Sequence, residues 1–319
     1  MKVKKDLQVI CFGAINLDLI FEIDEELALR LDIQPGYEYF KDKKELDSIL
    51  YILQHEGILR YKGGGGSAAN TAVALSRIGI KTGFIGMVGE DREGDLLLES
   101  LEGVDKKGIG RRGRSGIALS LLIKGERSII IFPNANDTIR IDDIDIDYVE
   151  SCDIIHFTSF AGGSSFNAQK YLLSKIRPEI KVSFDPGIIY AERGIDALLP
   201  ILRRTDIFFP EEKEIEVLTK KMWRDGCLEI LKIGPKVIVC TMGKEGSHIV
   251  TADNDFHVDA PDVSVVDTTG AGDVYAAGFL ASYLNKKSLK ESAIYATTLA
   301  SRSITGFGRE RYPEYKVKS

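Results

Sequence analysis

Short apolar runs recur along the chain, separated by stretches in which apolar residues fall at helical spacing. The runs Leu7–Gly13, Lys81–Val88, Ile154–Thr158, Lys181–Asp185, Ile207–Pro210 and Lys236–Thr241 predict strands. Helical spacing predicts helices over Ala69–Ile78, Asp91–Leu101, Ala168–Ile176, Gly194–Leu202, Glu211–Leu218, Gly226–Leu231, Asp273–Leu284 and Leu289–Ile304. Such alternation predicts an α/β fold, with a mainly parallel sheet covered by helices. Ligands of open α/β sheets bind beyond the carboxyl ends of the strands. Several of those ends carry Gly, Asp or Pro, as in Phe184-Asp185-Pro186-Gly187.

Two stretches break this rhythm. The first, about Phe21 to Lys62, mixes polar, extended and helical pieces, including Lys44–Gln54. The second reads as two strands, Ile117–Ile123 and Ser128–Phe132, joined by a Lys124-Gly125-Glu126-Arg127 turn. Both are expected as insertions, 22–62 and 113–137, into a core made of 1–21, 63–112 and 138–319.

Composition narrows the function classes. The 319 residues are 44% hydrophobic and 28% charged, ordinary for a globular chain with a sizeable core. Lys and Arg number 42 against 48 Asp and Glu, a balance of −6 with no long basic run. Nucleic acid and membrane surfaces are therefore poor candidate partners. Cys11, Cys152, Cys227 and Cys240 form no C-x-x-C pair and are expected to be free thiols. The four histidines lack metal-binding spacing, and His156, between Ile155 and Phe157, is expected in the core. Met1–Lys5 is basic, but Gln8, Asn16 and Asp18 interrupt the apolar stretch after it, so a cytoplasmic location is expected.

The chemistry concentrates at Asp267-Thr268-Thr269-Gly270-Ala271-Gly272-Asp273, which runs directly into an apolar helix. Small residues at a helix start offer unpaired N–H groups and the positive end of the helix dipole, an anion hole suited to phosphate. Asp273 either caps that helix or accepts a proton from an attacking hydroxyl. A helix start should lower its pKa, which would leave orienting the hydroxyl as its main task. No Walker A loop and no protein-kinase H-R-D or D-F-G element is present.

That segment resembles the C-terminal signature of the PfkB, or ribokinase-like, family of sugar and nucleoside kinases. Gly63-Gly64-Gly65-Gly66-Ser67-Ala68-Ala69-Asn70 resembles the family's N-terminal Gly-Gly-x-x-x-Asn motif. The resemblance implies a ribokinase-like three-layer sandwich in which the two insertions form a small β-rich lid over the acceptor. It implies ATP and Mg²⁺ as cofactors, with Asp273 as the base and Gly270, Ala271 and Gly272 as the anion hole. Gly13-Ala14-Ile15-Asn16-Leu17-Asp18 resembles ribokinase's Gly-x-x-Asn-x-Asp, which puts Asn16 and Asp18 on the acceptor with Gly65, Gly66 and Asn70. Thr241-Met242-Gly243-Lys244-Glu245-Gly246 resembles the stretch near the nucleotide, which implies Thr241, Gly243, Gly246 and Thr269 as its contacts. Asp267 and Thr269 match part of the K⁺ site of potassium-activated relatives, while Thr305–Gly308 matches the rest poorly. Where the family has Asn-x-x-Glu for magnesium, acting through water, this chain has Glu211 and Glu214. The expected acceptor is a small sugar such as ribose or fructose. A nucleoside is the alternative, because the long 22–62 insertion resembles an adenosine kinase lid. Relatives with small lids often form homodimers through them.

Two other readings fit less of the chain. Gly64–Ala69 also satisfies the dinucleotide-binding G-x-G-x-x-A, but Ile58–Lys62 makes a poor buried strand before it, and the second signature is left idle. A non-catalytic sugar- or nucleotide-binding protein on the same fold would have no need of Asp273.

Overall fold

The computed structural model describes residues 6–41 and 43–314. The basic Met1–Lys5 stretch lies outside the described residues. In chain order the strands are β1 Val9–Phe12, β2 Asn16–Glu22, β3 Glu38–Phe40, β4 Ile58–Gly65, β5 Thr82–Val88, β6 Asp105–Arg111, β7 Gly116–Ile123 and β8 Glu126–Phe132. They continue with β9 Ile154–Phe157, β10 Lys181–Phe184, β11 Ile207–Phe208, β12 Val237–Thr241, β13 Ser247–Val250 and β14 Asp255–Val258.

Nine strands form the large sheet, in the order β14-β13-β12-β11-β10-β9-β1-β5-β6. From β12 to β6 every neighbouring pair is parallel, and β13 and β14 close one edge antiparallel. Strands β1, β5 and β9 are buried throughout, which is why their sequences are mostly apolar runs rather than alternating ones. Alternate residues still part to opposite faces: Val9 and Cys11 join one core cluster, Ile10 and Phe12 the other. His156 is buried on this sheet, its Nδ1 2.6 Å from Ser183 Oγ, and burial lowers its pKa to about 3, so it is a neutral core residue. The four cysteines are buried and form no disulfide among the described residues. Among the described residues, no helix is long and apolar enough to cross a membrane.

The second sheet has five strands in the order β3-β8-β7-β2-β4. The hairpin β7–β8 is the one read from the sequence. Strands β2 and β4, however, draw Asn16–Phe21 and Gly63–Gly65 into this sheet, residues that the sequence pattern assigns to the core. The Ile58–Lys62 segment is a strand after all, but an exposed edge strand paired only with β2. That position explains its weak apolar character, and it removes the dinucleotide reading, since β4 lies outside the parallel sheet.

Candidate active site

A cleft of about 920 Å³ lies between the carboxyl ends of the large sheet and the second sheet. Ala14, Ser159, Gly187 and Glu211 reach it from segments that follow β1, β9, β10 and β11; Asn16, Asp18 and Ala118 reach it from β2 and β7. Two helices, Ser67–Arg77 and Ala271–Leu284, present their N-terminal ends to the cleft through Gly66, Ser67, Gly270 and Asp273. The helix-start amides lack intrahelical carbonyl partners and carry positive potential. Ala271 N donates to Thr268 O at 3.2 Å, so the amides of Gly272 and Asp273 are the ones left for an anion. Space at Gly272 is open on the side where a Cβ would stand.

Asp273 sits in the first turn of its helix, whose N-cap is Gly270 with no side-chain cap bond, so capping does not account for it. Asn70 Nδ2 donates to Asp273 Oδ2 at 2.8 Å, and the Ser67 hydroxyl also bonds to it. Burial outweighs the helix start and raises the carboxyl to about 7. The pKa therefore moves opposite to the expectation from sequence, because the side chain is enclosed between two helices.

Asp18 and Gly63 face each other across the β2–β4 ladder, and Asn16 pairs with Gly65. The two N-terminal motifs are thus hydrogen-bonded neighbours. Enclosure raises Asp18 to about 6, against the opposing charges of Arg127 and Arg309. Gly65 leaves the carboxylate its place, because a Cβ there would stand 1.8 Å from Asp18 Oδ2. Gly65→Ala is therefore expected to displace the Asp18 carboxylate and raise the acceptor KM roughly tenfold, about 1.4 kcal/mol. Initial-rate kinetics check this; unchanged acceptor KM would show that Asp18 need not hold this place.

Residues that no motif marks complete the site. Asn136 is buried and cradles the first-strand motif: it accepts from Ile15 N at 3.0 Å and donates to Asn16 Oδ1 at 2.7 Å. Arg127, at the start of β8, bonds to Thr269 and approaches Asp267 at 3.5 Å. It joins the second sheet to the segment before the helix Ala271–Leu284. Asp267 also accepts from Thr269 and from Gly308 N at 3.2 Å. This carboxylate, matched in the sequence to a monovalent cation, is engaged by an arginine. Asp185 stands beyond β10, where Asp273 and Glu211 add to burial in raising its pKa. Only the rule that ligands meet strand carboxyl ends could have marked it.

Glu211 and Glu214 both line the cleft, and Glu214 Oε2 accepts from Glu211 N at 2.9 Å at the start of their helix. Among the described residues, no three carboxylate, His or Cys side chains converge to hold a metal by themselves. Thr241 ends β12 and bridges to Glu211, Gly243 and Gly246 stand in the turn after it, and none of the three lines the cleft.

The family model for pfkB family carbohydrate kinases matches residues 59–312. This chain belongs to that family. An uncharacterized sugar kinase of Archaeoglobus fulgidus is 40% identical over 249 residues, 76% of this chain and 98% of that protein. An ATP-dependent ribose-1-phosphate kinase of Halopiger xanaduensis is 29% identical, over 77% of this chain and 81% of its own length. The adenosine kinase structure from Sinorhizobium meliloti shares the ribokinase-like fold at a TM-score of 0.86, with 23% identity over 95% of each chain. The α/β fold expected from the alternating runs is thus the observed one, with a small second sheet beside the large one.

Proposed function

We propose that this family member transfers the γ-phosphoryl group of ATP to a hydroxymethyl group of a small sugar. The observation that carries the reading is the shared cleft: Asp18 on one side and Asp273 at a helix start on the other, with Asn70 bonded to Asp273. An ionised Asp18 accepts two hydroxyl hydrogen bonds and so suits a vicinal diol. Asn16 and Asn70 add polar partners, while Gly65 and Gly66 let the backbone approach. Asp273 then faces the remaining hydroxymethyl group and accepts its proton, a task that suits a pKa near 7. The amides of Gly272 and Asp273, at the end of the Gly270-Ala271-Gly272 turn, receive the phosphoryl oxygens, and Thr269 borders the same wall.

Mg²⁺ fits the residues present. Glu211 and Glu214 line the cleft, and Asp185 lies beyond β10, where burial first and then the charges of Asp273 and Glu211 raise its pKa. Magnesium keeps several waters and takes one or two carboxylates with substrate phosphates, which agrees with the lack of a closed protein cage. It would offset charge on the transferred group. Glu214→Gln is expected to raise the magnesium concentration for half-maximal rate roughly tenfold; an unaltered Mg²⁺ titration refutes its metal role. Thr241, Gly243 and Gly246 are assigned to the nucleotide's outer end, since they border Glu211 rather than the acceptor. Asp267 needs no K⁺ in this reading, because Arg127 faces it.

A nucleoside is the second reading. Ala118, Ile129 and Ile131 give the second sheet an apolar face toward the cleft, with Tyr37 beside them. A base would pack there, whereas a small sugar would leave that wall uncovered. ADP release from MgATP, with ribose, fructose, ribose 1-phosphate, adenosine, cytidine and inosine offered separately, tests both. A response to sugars alone supports the first reading; a response to nucleosides alone replaces it with the second; no response to any removes both. Pairing through the second sheet is proposed from the exposed β4 edge, where Ile58 and Leu59 face solvent, and light scattering that gives a monomer mass would overturn it.

A further inference from the structure

We propose that Arg309 is a positioning residue for this reaction: its buried guanidinium fixes the orientation of the Asn70 amide toward Asp273 and places a positive charge behind Asp18 and Asp273. The inference rests on the reading of Asp273 as the base. Arg309 lies beyond the helix Leu289–Ser303 and is only 8% exposed. Arginine is almost never so buried without a carboxylate partner. Among the described residues, no carboxylate comes within ion-pair distance of Arg309. Instead, Nε donates to Asn70 Oδ1 at 2.9 Å and Nη1 donates to Ser100 O at 3.1 Å. Nη2 is buried without an acceptor. A guanidinium that served packing alone would cost stability here, since an unsatisfied buried donor is penalised.

The chemistry at Asn70 shows what the charge does. An Asn side chain can present either end, and arginine offers only donors. With Nε against Oδ1, the amide's Nδ2 must face Asp273, which it meets at 2.8 Å. The reverse orientation would oppose donor to donor at Arg309 and acceptor to carboxylate at Asp273. Arg309 thereby settles which way Asn70 points. The Gly63–Gly66 run makes room for this group. A Cβ on Gly64 would stand 2.1 Å from Ser100 Oγ and 3.3 Å from Arg309 Nη1.

Asp18 has two cations near it, Arg127 and Arg309, whereas Arg309 is the cation that acts on Asp273. Ser67, Asn70, Asp18, Asp185, Cys11, Tyr312 and Arg309 face Asp273. Arg127, Arg309, Asp267 and Tyr61 surround Asp18. Tyr61, Tyr312 and Arg77 flank Arg309 itself, and Arg77 Nη1 donates to the Arg309 carbonyl at 3.1 Å. Of these groups, only Arg309 opposes the rise of both carboxylates.

The test combines Arg309→Met, Arg309→Lys, Asn70→Ala and the Arg309→Met/Asn70→Ala double variant. Turnover is measured with MgATP and whichever of D-ribose, D-fructose or adenosine supports ADP release. The Asp273 carboxyl is titrated by ¹³C NMR in the ligand-free protein and assigned with Asp273→Asn. Arg309→Met is expected to lower kcat by roughly tenfold or more and to raise the Asp273 titration by about one unit, the usual size of a lost neighbouring charge. In the Asn70→Ala background the same change should cost less than about threefold in kcat, because the amide it orients is gone. Arg309→Lys should keep the titration near the wild type and still lose turnover. An unmoved titration in Arg309→Met, or equal losses with and without Asn70, overturns the proposal. If the Met variant does not fold, wild-type kcat in Arg309→Lys does so. Wild-type turnover in Asp273→Asn would instead remove the base assignment, and the titration alone would then decide the role of Arg309.

Discussion

Asp273→Asn is expected to fold and to lose about 10³-fold in kcat, within the range that general-base groups supply. Asparagine keeps an oxygen in the place that accepts from Asn70 Nδ2, so the helix start and its neighbours have no cause to move. What disappears is a site for the acceptor's proton. Pre-steady-state mixing with MgATP and the responding acceptor measures the chemical step; a rate within tenfold of the wild type would sink the assignment. In the wild type, activity should fall as pH drops through about 7, because the base becomes protonated there. The same variant carries a stability prediction of opposite sense. The folded carboxyl holds its proton up to about 7, whereas the unfolded one releases it near 3.8. Between those values the native state binds more protons, so wild-type stability declines as pH rises. Asparagine removes that decline. Its melting temperature should exceed the wild type's at pH 8 and approach it at pH 4, and equal increments at both would contradict burial of a neutral acid.

The second large effect is expected at Asp18→Ala. Two charge-assisted hydrogen bonds to sugar hydroxyls are worth a few kcal/mol together, so the acceptor KM should rise about 10²-fold or more. The KM for ATP should change little, because Asp18 stands on β2 in the second sheet while the proposed anion hole belongs to the helix Ala271–Leu284. Initial rates with each substrate varied in turn separate the two. Equal increases in both constants would mean that Asp18 holds the cleft together rather than the acceptor. Removing a partly enclosed carboxylate whose pKa stands near 6 should not weaken the fold at neutral pH, so a loss of acceptor binding cannot be ascribed to unfolding if the melting curve is unchanged.

Much of the fold was legible in the chain. The buried parallel strands read as mostly apolar runs because both of their faces are covered, and the hairpin β7–β8 declared itself through its turn. Strands β2 and β4 were missed because one carries the polar site residues Asn16 and Asp18 and the other is an exposed edge rich in glycine. Polar residues broke the pattern in the first, and solvent exposure in the second. The motif residues Asp18, Asn70, Gly270 and Asp273 were legible as a set. Arg127, Asn136 and Arg309 were not, since a lone polar residue far along the chain has no spacing that marks it.

The sequence by itself determined the family, the α/β architecture and the two motifs, because periodicity and local turn chemistry are written residue by residue. Only the tertiary structure decided how those motifs meet. Pairing of β2 with β4 joined Asn16 and Asp18 to the glycine run. Packing of two helix starts brought Asn70 to Asp273, 203 residues away in the chain. Burial then raised a carboxylate that its place at a helix start would have lowered. Desolvation depends on everything that surrounds a group, and no stretch of sequence contains that enclosure.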